Sequence, residues 1–310
     1  MESNVSPLIE QRADPFVYKH TDGYYYFTAS LPAFDAIELR RAQTISALAN
    51  APTVLVWRKH DSGPMSMNIW APEIHFIDGK WYIYFAAAQQ DADESGCYDH
   101  RMYVLENDSA NPLDGTFIEK GQINSGWESF ALDATSFLLD GTRYYVWAQR
   151  DYAIAGNSNL YIAKMENPWT LQLPAVMISK PEFDWECEGF LVNEGAAVLL
   201  RDDKVFITYS GSATDERYSM GLLWAMQNAN LLDLSSWTKS QTPVMVTDEA
   251  RGLFGPGHNS FTVDEEGRDL LVFHARPYPG FQGTALSDPN RHTYVQLLHY
   301  DEDGWPVFQE

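Results

Sequence analysis

The 310-residue sequence is short of cysteine, of positive charge and of long apolar runs, and each shortage excludes something. Its two cysteines, Cys97 and Cys187, are too few and too far apart for a disulfide framework. Lys and Arg number 21 against 43 Asp and Glu, a formal net charge of -22. Nucleic acids and anionic membrane surfaces are bound by clustered Lys and Arg, so neither is an expected partner. A polyanionic substrate such as polygalacturonate is disfavoured too, whereas a neutral glycan is compatible with this charge. No stretch approaches the roughly 18 consecutive apolar residues of a membrane-spanning helix. Met1–Arg12 (MESNVSPLIEQR) lacks the basic start and apolar run of a signal peptide, so the sequence reads as cytoplasmic. Convincing helical periodicity is also scarce.

What the chain does have is aromatic side chains and turns. Trp, Tyr and Phe number 10, 17 and 16, and 45% of residues are apolar. Aromatics favour strands, and they also offer flat faces on which sugar rings stack. Five segments repeat one pattern: Ala13–Ser30, Pro72–Ala88, Leu132–Gln149, Asn193–Ser212 and Gly257–Ala275. Each opens on a polar residue, runs through a short apolar strand, turns tightly, and continues into an aromatic or β-branched strand. The turn is usually Asp-Gly, the strongest local hairpin signal because it tolerates positive φ.

The leading residues are Asp14, Glu73, Asp133, Glu194 and His258, spaced by 59, 60, 61 and 64 positions. A β-sandwich or jelly roll has no reason to repeat so evenly. Repeats of this size hold about four short strands each and read as propeller blades. The fold class is therefore all-β, a five-bladed β-propeller forming one domain over residues 1–310, with blades beginning near 14, 73, 133, 194 and 258.

The first strand of every propeller blade lines the central channel, so the five leading residues are expected to crowd one end of it. Four are carboxylic acids, and burying carboxylates together is costly unless they are hydrogen-bonded, protonated or put to use. Hydrolysis of a glycosidic bond is one such use. It needs one carboxyl protonated to donate to the leaving oxygen and one ionised to activate water or attack. A third acid nearby raises the pKa of the proton donor.

The motifs ADPF at Asp14, IWAPEIHFIDGKWYIYFAA around Glu73, LDATSFLLDG at Asp133, NEG at Glu194 and GPGHNSF at His258 resemble glycoside hydrolase family 43. The resemblance runs from about residue 10 to 308. It implies a five-bladed propeller and hydrolysis with inversion. Asp14 matches the general base, Glu194 the general acid and Asp133 the residue that raises the acid's pKa and orients it. Ala196 stands where many members carry Pro, and Glu186 and Glu188 (WECEGF) are rival carboxylates. Blade register favours Glu194 over both, and the resemblance gives Glu73 a structural role. Trp70, Arg276 and His258 match pocket residues expected to meet the sugar or the acids, and Phe34 and Phe190 are expected on rim loops. No cofactor is required and no metal takes part in the chemistry. Some members hold calcium near the matching His, so a structural Ca2+ in the channel near His258 is also expected.

The segments VNEGAAVLL, TYSGSATDERYSMGLL and GPGHNSF resemble the arabinofuranosidase branch of the family. The expected substrate is thus a neutral pentose oligosaccharide or polysaccharide, with terminal L-arabinofuranose released from α-1,5-linked arabino-oligosaccharides or arabinan. A β-xylosidase or endo-arabinanase is the alternative within the family, and a non-catalytic carbohydrate-binding propeller is the alternative outside it. An exo enzyme needs a pocket closed at one end, and the non-repeat stretches 31–66 and 88–130 are expected to wall it.

Overall fold

The computed structural model describes residues 5–93 and 97–309. The strands come in chain order as five up-and-down sheets. The first holds β1 (Ala13–Lys19), β2 (Tyr25–Ser30), β3 (Ala36–Ala42) and β4 (Val54–Arg58). The second holds β5 (Met67–Ile77), β6 (Lys80–Ala88), β7 (Arg101–Asn107) and β8 (Ile118–Gln122). The third holds β9 (Ala131–Leu139), β10 (Thr142–Gln149), β11 (Asn159–Asn167) and β12 (Thr170–Ser179). The fourth holds β13 (Asn193–Arg201), β14 (Lys204–Gly211), β15 (Ser219–Met226) and the short β16 (Thr238–Lys239). The fifth holds β17 (Phe254–Val263), β18 (Asp269–Arg276) and β19 (His292–Leu297), followed by the hairpin β20 (His299–Tyr300) and β21 (Pro306–Val307).

The first strands β1, β5, β9, β13 and β17 pack side by side in a closed ring, with β17 returning to β1. This is the five-bladed propeller that the repeat implies. The expected Asp-Gly hairpins form as the residues dictate. Asp78-Gly79 and Asp140-Gly141 both have positive φ at each residue and join strands paired across a two-residue loop. Ring closure needs a further contact that the repeat does not announce. Thr293 of β19 exchanges hydrogen bonds with Ile9, at 2.8 and 3.3 Å, so the N-terminal segment adds an outer strand to the last blade.

The aromatic content is explained by how the blades pack. Successive side chains of a strand face opposite sides of the sheet, and in a propeller both sides are covered. Tyr82 and Tyr84 of β6 point toward the third blade and meet Tyr145 and Trp147, while Trp81 and Ile83 point back to Tyr26 and Ile37 of the first. Five such clusters fill the five wedges between neighbouring blades. Wedges widen outward, and large rings fill them. Trp81 and Trp147 are fully buried, and truncating either to Ala would cost about 3–5 kcal/mol.

One irregularity of the inner strands builds the functional end of the channel. Each carries a β-bulge at the same place, where the register to its neighbour slips. The bulged residues have φ in the left-handed region: Asp14 (53°), Ala71 (46°), Asp133 (55°), Gly195 (60°) and His258 (41°). In every blade the residue two positions on resumes regular pairing, as Phe16, Glu73, Thr135, Ala197 and Ser260 do. A bulge bends the strand and re-aims a side chain, here toward the channel mouth. The equivalence of Glu73 with Asp14 and Asp133 is corrected by this register. Ala71 is the bulge residue of the second blade, and Glu73 lies two residues deeper.

Candidate active site

A cavity of about 630 Å³ opens at the bulged end of the channel. Asp14, Asp133, Glu194 and His258 all line it, so four of the five leading residues converge as expected. Glu73 does not line it. Its carboxyl instead meets His75 Nε2 at 2.9 Å, with both side chains buried.

Asp14 sits among cations and donors. Ser30 Oγ donates to its Oδ2 at 2.5 Å, and Arg291 Nη1 lies 3.3 Å from its Oδ1. His258 Nδ1 and His274 Nδ1 lie 3.3 and 3.2 Å from the same oxygen. Burial raises the carboxyl's pKa, but His258, Arg291 and His274 outweigh it and hold Asp14 well below the usual range.

The opposite holds for the other two acids. Burial, with the neighbouring charges of Glu194 and Asp14, pushes Asp133 well above the ordinary carboxylate range. Burial and the charge of Asp14 push Glu194 up to about 7, against the lowering effects of Tyr218 and Arg291. Tyr218 OH donates to Glu194 Oε1 at 2.9 Å. The Gly195 N–H donates to Asp133 Oδ2 at 3.1 Å, tying the acid's own strand to Asp133. Glycine is needed there because φ is 60° and a Cβ would lie 3.1 Å from His258 Cγ. The site therefore holds one carboxyl driven down and a pair driven up, the split that acid–base hydrolysis requires.

His258 stands between the two kinds of acid, its Nδ1 at 3.3 Å from Asp14 and 3.7 Å from Asp133. Burial lowers its pKa and so favours the neutral imidazole, against the raising effects of Asp14 and Glu73. A calcium ion takes six to eight oxygens, waters included, and the protein side chains here could supply few of them. Asp14 is already engaged by Arg291 and Ser30, and Asp133 by Gly195. Among the described residues no group of three or more His, Cys, Asp or Glu side chains could hold a metal.

Trp70 lines the cavity and stacks on His100, ring centroids 3.8 Å apart, with Tyr98 edge-on at 4.9 Å. Phe190 lines it as well and is 51% exposed. Phe34 falls outside the cavity. It meets Trp70 edge-on at 6.0 Å and lines a small crevice behind it. Glu186, one rival for the acid's place, is fully buried and saturated by Lys239, Tyr209, Asn193 and two backbone N–H groups. The other, Glu188, is exposed and does not line the cavity.

Arg276 is the clearest departure. It is buried, its guanidinium donating to Thr214 O and Ala285 O, each at 2.6 Å, with Asp288 at 3.7 Å from Nε. It braces the 277–291 loop and does not reach the acids. The arginine on the acids is Arg291, at the far end of that loop. The same loop puts Phe281, Thr284 and Leu286 into the cavity wall, whereas the 31–66 stretch contributes none of the lining. Residues from 88–130 do contribute, through Tyr98 and Phe130. Tyr218 and Arg291 escape the blade pattern because neither lies on a first strand. Nothing in the sequence marks Tyr218, and in the structure its ring packs where a Cβ on Gly257 of GPGHNSF would collide with it.

Comparison with known proteins adds an independent finding. The model of the family described as Glycosyl hydrolases family 43 matches residues 5–306. A Streptomyces avermitilis protein named extracellular exo-α-(1→5)-L-arabinofuranosidase is 54% identical over 304 residues, 98% of this chain and 62% of that protein. A Streptomyces chartreusis protein of the same name is 48% identical, over 90% of this chain and 84% of its own. The crystal structure of α-L-arabinofuranosidase from Lactobacillus brevis matches with a TM-score of 0.96 at 55% identity, covering 99% of this chain and 96% of that one. This chain thus spans less than two thirds of the length of the Streptomyces avermitilis relative. The cytoplasmic expectation is overturned, since both Streptomyces relatives are named extracellular. A folded propeller carries no compartment signal in its blades, so its residues could not have supplied one.

Proposed function

The chain belongs to glycosyl hydrolases family 43, and from that premise we propose that it releases terminal L-arabinofuranose from α-1,5-linked arabino-oligosaccharides or arabinan with inversion. Asp14, ionised, takes a proton from the attacking water. Glu194, protonated, donates to the leaving oxygen. Burial and the charge of Asp14 favour the protonated form of Glu194, and Asp133 fixes the strand that carries it through the Gly195 N–H. Substrate enters the cavity over Trp70, and His258 stands between Asp14 and Asp133.

One observation carries this reading: buried carboxyls at one channel mouth have been driven in opposite directions, Asp14 down and Glu194 up to about 7. A site that only bound sugar would have no use for that split. The names of the two Streptomyces relatives support the arabinose assignment. Product analysis on linear α-1,5-arabino-oligosaccharides tests it, with 4-nitrophenyl α-L-arabinofuranoside and β-D-xylopyranoside alongside. Arabinose as sole early product, with little xylosidase activity, is the expected result. Early short oligomers or preferred xylose release would overturn the substrate assignment.

A further inference from the structure

Large aromatic side chains in this protein are almost all covered, which makes the exceptions informative. Among the described residues the largely exposed ones are Tyr152 (73%), Phe190 (51%) and Phe281 (44%). Phe190 and Phe281 line the cavity. Tyr152 belongs to the same rim, since the guanidinium of the cavity-lining Arg150 lies 5.1 Å from its ring centroid. The loops carrying Tyr152 and Phe190 are zipped together. The Asn157 N–H donates to Leu191 O at 2.8 Å, and Ser158 and Val192 form a parallel bridge.

The acids lie at the channel end of this cavity, and Tyr152 and Phe190 lie toward solvent on the third- and fourth-blade side. Exposed aromatic faces leave apolar surface in water, and a pentose ring presents C–H groups that can cover it. Arg150 beside them supplies several N–H donors for ring hydroxyls, and it reaches Cys97 Sγ at 3.0 Å. Flat apolar faces with a fork of donors suit a neutral sugar, and this surface is continuous with the cavity that holds the acids.

We infer that Tyr152, Phe190 and Arg150 form the binding surface for the sugar units on the leaving side of the scissile bond. The occupant is one or two pentose units of a linear neutral oligosaccharide. This rests on the hydrolase reading above and deepens it. The enzyme then discriminates among substrates by the sugar units attached beyond the terminal arabinose, through the third- and fourth-blade loops. Phe281, on the fifth-blade loop, forms the facing side of the mouth.

The test compares kcat/KM on linear α-1,5-arabinotriose, which reaches the surface, with that on methyl α-L-arabinofuranoside, which does not. Tyr152→Ala and Phe190→Ala are each expected to lower the trisaccharide-to-methyl ratio about tenfold, equivalent to roughly 1.4 kcal/mol, through KM for the trisaccharide. Tyr152→Phe should restore the ratio, because stacking needs the ring and not the hydroxyl. Leu138→Ala, exposed on β9, controls for surface substitution and should leave the ratio unchanged. An unchanged ratio in both Ala variants overturns the inference, as does an equal fall on both substrates. A wild-type protein that cleaves neither substrate overturns the parent reading along with it.

Discussion

Replacing Tyr218 with Phe removes one hydroxyl from the site and tests how the acid is tuned. The ring is buried and stacks on His274 at 5.7 Å, so its packing survives the change. What is lost is the 2.9 Å hydrogen bond to Glu194 Oε1, which favours the ionised carboxylate. A hydrogen bond to a charged group is worth about 1.5–3 kcal/mol, and one pKa unit corresponds to about 1.36 kcal/mol. Taking the lower end, Glu194 rises by about one unit from its value of about 7. With Glu194 as the proposed acid, the active form is the protonated one, so a higher pKa keeps the enzyme active to higher pH. The alkaline limb of kcat/KM on an arabino-oligosaccharide should therefore move up by about one pH unit. Below neutral pH both enzymes hold the proton, and their rates should differ little. Because Glu194 and Asp133 titrate together, the limb belongs to the pair. A Tyr218→Phe enzyme with a lower rate at every pH and an unmoved alkaline limb would refute the tuning argument. An alkaline limb that moved downward would refute it more strongly.

Other substitutions separate the parts of the site. Arg291→Met removes the fixed charge 3.3 Å from Asp14, so the base's pKa rises and the acid limb of kcat/KM moves to higher pH. Glu186→Gln removes the charge of a fully buried carboxylate that pairs with the partly exposed Lys239 and should cost about 2–4 kcal/mol, read as a lower melting temperature. Neither pH limb should move, since Glu186 does not line the cavity. Gly195→Ala forces an L-residue to φ 60° at about 1–2 kcal/mol and crowds His258. Both melting temperature and kcat should fall, because the Glu194 strand and its bond to Asp133 shift together.

Much of this architecture was legible because each blade states itself locally. Tight turns and aromatic or β-branched second strands recur in every repeat, and hairpin chemistry depends only on neighbours in sequence. Asp14, Asp133 and Glu194 were found for the same reason, since first strands converge wherever blades form a ring. The phase of the bulge was less legible. Glu73 is a conspicuous acid in the right neighbourhood, whereas Ala71, the residue that occupies the bulge, has nothing chemical to mark it. Arg291 takes the place expected of Arg276 because a loop decides which guanidinium comes home to Asp14. That loop's shape depends on Asp288 accepting from Tyr278, Gln282 N–H and Asn290 N–H. Ring closure through Ile9 and Thr293, and the bond from Tyr218 to Glu194, join residues with no common period. Contacts of that kind belong to the folded ring and leave no mark in the repeat.

In the proposed reaction, Asp14 and Glu194 act on a water and a terminal arabinofuranose from opposite faces of the sugar. Proton NMR during the first minutes of arabinotriose hydrolysis tests it, before the anomers equilibrate. The account predicts β-arabinofuranose and arabinobiose as the first products. It also predicts rates lowered about 10²–10⁴-fold in Asp14→Asn and in Glu194→Gln. First-formed α-arabinofuranose, or an Asp14→Asn enzyme with near wild-type activity on the trisaccharide, would contradict it.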